Sequence, residues 1–225
     1  MNKSGFFLLL LIIQISVQTA FSQNEMLDDK KLAKAKEFKT LEEALEKPDK
    51  VYKLNLSNKN YSVLPADIGK FKNLQKLDIS SNKLKELPKE TGKLKKLQSL
   101  NLSRNTSLNL SQAFGFFGRS KLLTELILTD NTIRILPDNI SKIQNLQYLD
   151  LSYNPDLNLK QLFKTLSKLP NLNTLSLNEC NITTFPDEIG GLKKSLRELN
   201  LNWNRIPEKE QRRLKELLPN TKIVF

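Results

Sequence analysis

One cysteine, Cys180, and no histidine limit the chemistry that the side chains of this chain can perform. Without histidine there is no Ser-His-Asp or Cys-His catalysis, and the commonest transition-metal ligand is missing. The adjacent acids Asp28-Asp29 and Glu42-Glu43 stand in a charged stretch and read as solvated faces rather than catalytic dyads. No glycine-rich phosphate loop occurs, so neither an enzyme nor a cofactor is expected. What remains is recognition chemistry. Tyr148, Asp150, Tyr153, Glu179 and Trp203 form one set of aromatic and acidic side chains, with Arg104 and Asp130 as neighbours. Tyr, Trp and Arg are the residues most enriched in binding hot spots.

These residues recur at fixed places in a repeat. The skeleton L-x-x-L-x-L-x-x-N-x-L begins at Val51, Leu74, Leu97, Leu123, Leu146, Leu172 and Leu196. A period in this range marks a solenoid. Counting from each first residue, positions 1, 4 and 6 are apolar in every copy. Alternation at 4 and 6 is the period of a short strand, and positions 2, 3, 5, 7 and 8 then fall on its other face. Position 9 is Asn82, Asn105, Asn131, Asn154 and Asn204, with Lys59 and Cys180 in the first and sixth copies. An amide there satisfies buried backbone groups where each coil turns. Cys180 reads as a substitute in that ladder, and a reactive thiol or an intermolecular bridge is the alternative. Position 7 is Ser, Thr or Asn throughout and is expected to bond along the sheet. Position 8 is Asn58, Ser81, Arg104, Asp130, Tyr153, Glu179 and Trp203.

Four copies continue into Leu64-Pro65, Leu87-Pro88, Leu136-Pro137 and Phe185-Pro186. Proline suits the first turn of a short helical return. Gly69, Gly92 and Gly190 are expected to end that turn with positive φ. The copies beginning at Leu97 and Leu146 are longer, 26 residues against 23 for the first two, and lack Leu-Pro. Their apolar sets match at an offset of 49 residues, as in Phe114 and Phe163, which predicts a duplicated unit with a fuller helix. The chain resembles the leucine-rich repeat family, of the subclass with an L-P-x-x-I-G return. The resemblance implies an α/β fold: a curved solenoid with a parallel β-sheet on its concave face and short helical or irregular returns. It also implies ligand binding, usually of proteins, through the concave face. A carbohydrate or envelope polymer is the alternative partner.

Residues 1–22 read as a signal peptide: Lys3, the apolar run Phe6–Val17 and small residues before Gln23. A membrane anchor is the alternative, for which the run is short. Residues 23–50 are expected to form an N-terminal helical cap, with a capping box at Thr40-Leu41-Glu42-Glu43 and a looser charged stretch, Asn24–Lys39, before it. Residues 51–206 hold the seven repeats, and 207–225 a helix-strand cap. The expected location is outside the cytoplasm (periplasm, cell surface or medium), with no integral membrane segment once the leader is removed. Asn-x-Ser falls within the strands at Asn55 and Asn101, where a glycan would obstruct the concave face, so a bacterial origin is expected. Net charge is +12, yet the face positions carry four basic residues (Lys53, Lys76, Arg104, Arg197) and six acidic ones (Asp78, Glu125, Asp130, Asp150, Glu179, Glu198). A nucleic-acid groove would gather cations on the binding face, so no nucleic-acid partner is expected. The basic excess belongs to the returns and caps, in Lys70, Lys72, Lys93, Lys95, Lys96, Lys193, Lys194, Arg212 and Arg213.

Overall fold

A computed structural model describes residues 26–225, Arg119 excepted. The expected signal peptide lies outside the described residues. Nine parallel strands form one open sheet in strict sequence order, β1 to β9. The seven repeat strands are Lys53–Asn55 (β2), Lys76–Asp78 (β3), Ser99–Asn101 (β4), Glu125–Ile127 (β5), Tyr148–Asp150 (β6), Thr174–Ser176 (β7) and Glu198–Asn200 (β8). Each takes positions 3 to 5 of its copy. The middle residues stack in register as Leu54, Leu77, Leu100, Leu126, Leu149, Leu175 and Leu199, all buried. The pleat therefore sends positions 3 and 5 to the opposite, exposed face.

Three residues are a short strand, and backbone bonding continues past it. The position-6 N–H donates to the position-5 carbonyl of the next coil, as in Leu56 to Asp78 (2.7 Å) and Leu128 to Asp150 (2.8 Å). The position-8 N–H donates to the next position-7 carbonyl, as in Ser81 to Ser103 (2.8 Å) and Tyr153 to Asn178 (2.9 Å).

At position 9 the chain turns inward, where water cannot reach its polar groups. Asn154 is fully buried. Its Nδ2 donates to the Leu128, Leu151 and Ser152 carbonyls (3.1, 2.8 and 3.1 Å), and its Oδ1 accepts from Asn131 and Ile133 N–H (3.1 and 2.9 Å). Asn82, Asn105, Asn131 and Asn204 bridge neighbouring coils in the same manner. Cys180 does take a rung of this ladder. Its Sγ donates to Leu151 and Asn178 carbonyls at 3.4 Å, the same positions that the asparagines serve. Sulfur replaces only the donor half. The Asn154 N–H faces the sulfur rather than an oxygen. Burial pushes the Cys180 thiol up to about 11. Burial and the raised pKa both disfavour the reactive-thiol alternative, since only the thiolate is the nucleophile.

The returns are of two kinds. Ala66–Lys70, Lys89–Lys93, Asp138–Lys142 and Asp187–Leu192 are 3-10 turns entered through proline. Leu110–Phe117 and Leu159–Leu166 are α-helices of 8 residues each. Asn109 and Asn158 cap them by accepting from the N–H of Gln112 and Gln161 (3.0 and 3.1 Å). Those glutamines reach back to the preceding coil, to Leu87 N–H and the Leu136 carbonyl.

Two expectations are corrected. No described glycine has positive φ; the left-handed residues are non-glycine. Gly69 is required by space instead, because a Cβ there would lie 2.8 Å from Cβ of Glu90 in the next return. The stretch before the repeats is not loose. It forms the helix Asp29–Lys34 and strand β1, Glu37–Phe38, before the helix Leu41–Glu46. Leu27 is held by both ends of the Gln75 amide (2.8 and 2.9 Å), and Leu32 is buried. Arg213 lies on the C-terminal cap, as expected. It pairs with Glu210 (2.8 Å) and Asp187, and donates to the Phe185 carbonyl, latching the helix Glu208–Leu217 onto the seventh coil's neighbour.

Two outcomes follow for the ladder. Asn154→Ala strands several buried backbone groups, so chemical denaturation should show a loss of about 3 kcal/mol or more. A thiol reagent at mildly alkaline pH should leave native Cys180 unmodified for hours and label it within minutes in denaturant; equal rates in the two states would refute its burial in the ladder.

Candidate functional site

The seven position-8 residues share an unusual backbone. All have φ between 51° and 62°, the left-handed region. None is glycine, and Tyr153, Glu179, Arg104 and Trp203 are poor choices for that conformation. Each costs about 1–2 kcal/mol relative to ordinary backbone. The inter-coil hydrogen bond from the position-8 N–H offsets part of this for six of them; Trp203 makes none. The geometry turns each side chain out at the rim of the sheet. Strands lie about 4.8 Å apart, so Arg104, Asp130, Tyr153, Glu179 and Trp203 form a row about 20 Å long.

Within the row the side chains pair. Arg104 Nε lies 3.3 Å from Asp130 Oδ2, and Tyr153 Oη donates to Glu179 Oε1 at 3.1 Å. That bond to Glu179 raises the Tyr153 phenol above its ordinary value. Tyr153 is 48% exposed and Trp203 is 82% exposed. Trp203 has no hydrogen bond or ring contact among the described residues, and packing beneath the C-terminal cap is excluded by its exposure. Exposed aromatic side chains beside a charged pair provide apolar area with polar tips.

Tyr148 and Asp150 sit apart from this row, at positions 3 and 5 in the trough. Tyr148 is half-buried, and burial raises its phenol above the ordinary value. Its Oη lies 3.4 Å from Asp150 Oδ2. Asp150 Oδ1 accepts from Ser152 N–H at 2.9 Å. The same local bond recurs from Ser57, Ser80 and Ser103 N–H to Asn55, Asp78 and Asn101. Asp150 thus shapes the strand end with one oxygen and meets Tyr148 Oη with the other. The structure brings Tyr153, Glu179, Trp203, Arg104 and Asp130 into one row and sets Tyr148–Asp150 beside it.

The trough over the first coils is already occupied. Leu27 engages Gln75 at position 2, and Lys53 Nζ donates to the Ala33 carbonyl at 3.1 Å. A small hollow of about 180 Å³ remains there, bordered by Glu37, Lys76, Asp78 and Ser99.

Sequence reasoning missed two apolar side chains on the flank. Val63 is 72% and Ile135 is 59% exposed. They border hollows of about 600 and 290 Å³. The signal was present: position 13 is Glu86, Asn109, Asn158 and Thr184 elsewhere, so an apolar residue there departs from the pattern. No group of three or more His, Cys, Asp or Glu residues suited to a metal occurs among the described residues. No helix among them is long and apolar enough to cross a membrane.

Family models described as leucine rich repeat match residues 49–106, 171–192 and 193–206. No curated protein matches the chain. Among solved structures, the chain is similar to a plant peptide hormone receptor, RGFR1, in complex with RGF2: 25% identity, a TM-score of 0.47, and coverage of 76% of this chain and 31% of that one. The chain thus spans about a third of that receptor. Coils between the matched stretches have the same strand register and the same asparagine ladder. The nine in-register parallel strands of the described residues form an α/β solenoid, and the stretches 49–106 and 171–206 of it match leucine-rich repeat models.

Proposed function

We propose that the chain is a non-catalytic recognition module that binds a protein partner through the strand face and its rim. Tyr153 and Trp203 are the anchors, Glu179, Asp130 and Arg104 set polarity, and Tyr148 with Asp150 line the adjoining trough. The observation that carries this reading is Trp203, a large apolar side chain 82% exposed on a strained backbone. A scaffold alone has no use for a ring there, since glycine would relieve the strain. The occupied first coils concentrate binding on coils three to seven. The mildly acidic face favours a partner with basic or neutral contacts. The leader-like residues 1–22 support export, and the Asn-x-Ser sites at Asn55 and Asn101 support a bacterial origin.

The test is quantitative capture of partners from envelope and host extracts, with parent and variant side by side. Tyr153→Ala/Trp203→Ala should weaken capture by at least about 2 kcal/mol, roughly thirtyfold. Trp203→Gly should weaken it too while leaving the denaturation midpoint unchanged or higher. Equal affinity in parent and variants removes the rim from the account. Capture that survives protease digestion of the extract assigns a carbohydrate partner instead.

A further inference from the structure

On the back of the coil a 3-10 return followed by an α-helix also occurs twice at the 49-residue offset, and the two copies differ in their contacts. In the second copy, the Asp138 carboxylate sits between the return Asp138–Lys142 and the helix Leu159–Leu166. It accepts from the buried Thr165 hydroxyl and lies 3.7 Å from Lys168 Nζ. Those contacts hold the Asp138 carboxyl below its ordinary value, the Thr165 hydrogen bond most of all. The carboxylate is exposed to solvent but charge-compensated by Lys168. In the first copy, 49 residues earlier, Asp138 becomes Lys89 and Thr165 becomes Phe116. Ser141 becomes Gly92, Lys164 becomes Gly115 and Gln144 becomes Lys95. Lys93 matches Lys142.

The result is an open hollow of about 490 Å³, lined by Lys89, Gly92, Lys93, Lys95, Gly115 and Phe116. Its volume falls in the range of small-molecule sites. Lys89, Lys93 and Lys95 are exposed, and none forms an ion pair among the described residues. Glu90, the one carboxylate of that return, packs its Cβ and Cγ against Gly69 of the preceding coil. Phe116 is half-buried and offers ring surface from the helix Leu110–Phe117. A Cβ on Gly115 would meet nothing within 4 Å, so the opening is wide there. Three cations thus surround the place where the twin site holds its own carboxylate, with an aromatic side chain replacing the twin's hydroxyl.

We propose that this hollow takes the phosphate headgroup of an anionic lipid surface, the phosphate standing where Asp138 stands in the twin and the acyl region meeting Phe116. Lysine ammonium groups bind phosphate as point charges. Docking on the back of the coil leaves the strand face and the Tyr153–Trp203 rim directed away from the lipid. The proposal does not depend on the identity of the rim's partner.

The test is co-sedimentation of the protein, as secreted from an expression host, with phosphatidylcholine vesicles with and without phosphatidylglycerol. Binding should require phosphatidylglycerol. Lys89→Gln/Lys93→Gln/Lys95→Gln should lose affinity about a hundredfold, as expected for three cations at an anionic surface. Lys89→Asp, which restores the twin's carboxylate, should also abolish binding, with circular dichroism unchanged in both. Removing the same charge at Lys193, Lys194 and Lys209 should have little effect. An equal loss in that control assigns the attraction to net charge and overturns the site. Absence of phosphatidylglycerol-dependent binding overturns it as well. Calorimetric binding of inorganic phosphate alone, lost in Lys89→Asp without any vesicle binding by the parent, assigns the hollow to free phosphate and overturns the lipid reading.

Discussion

The buried backbone at position 9 is the constraint on which the rest depends. Each coil ends its strand by turning into the core, and its N–H and C=O groups leave water there. A buried unpaired group costs about 1–3 kcal/mol, and there are several in every coil. In five of the seven coils one asparagine side chain meets this demand, as Asn154 does by donating to its own coil and the one before while accepting from N–H groups of the one before. The leucines supply the area removed from water, but they are non-directional. The amide ladder sets the turn and the register between coils.

That turn also places the surface chemistry. Position 8 is held in left-handed geometry because position 9 must point inward and the position-7 carbonyl of the next coil must be met. The side chain at position 8 is thrown outward whatever its type. The scaffold therefore supplies a row of projecting sites at strand spacing, and the residue types there are free to specify a partner. Tyr153 pairs there with Glu179 and Arg104 with Asp130, and Trp203 projects into solvent. The back of the coil has comparable freedom. There a return and the following helix are bridged by Asp138 and Thr165 in one copy and leave a hollow among Lys89, Lys93 and Lys95 in the other.

The features legible in the sequence were those with a period. Leucine spacing revealed the strands, Leu-Pro the entry to the returns, and the 49-residue offset the two helices. Cys180 was legible because its neighbours in the column are asparagines. What escaped was set by tertiary geometry. Strand β1 is two residues, Glu37–Phe38, too short for any period, and exists because the edge of β2 offers unpaired backbone. The left-handed backbone of Tyr153 and Trp203 leaves no trace in residue type, since nothing about tyrosine or tryptophan favours it. Gly69 was misassigned for the same reason. Its neighbour Glu90 is one coil away, and only the packed solenoid shows that a Cβ has no room. The site residues were found through their shared column, while the local role of Asp150 needed the Ser152 N–H to be seen.

The central claim is that the amide ladder is one coupled network rather than five separate bonds. A pair of double-mutant cycles read by chemical denaturation tests it. Asn131→Ala with Asn154→Ala joins adjacent rungs linked by the Asn131 N–H; Asn82→Ala with Asn204→Ala joins distant ones. The account predicts a coupling of about 1 kcal/mol or more for the adjacent pair and additivity within about 0.5 kcal/mol for the distant pair. Additivity in both cycles would contradict it.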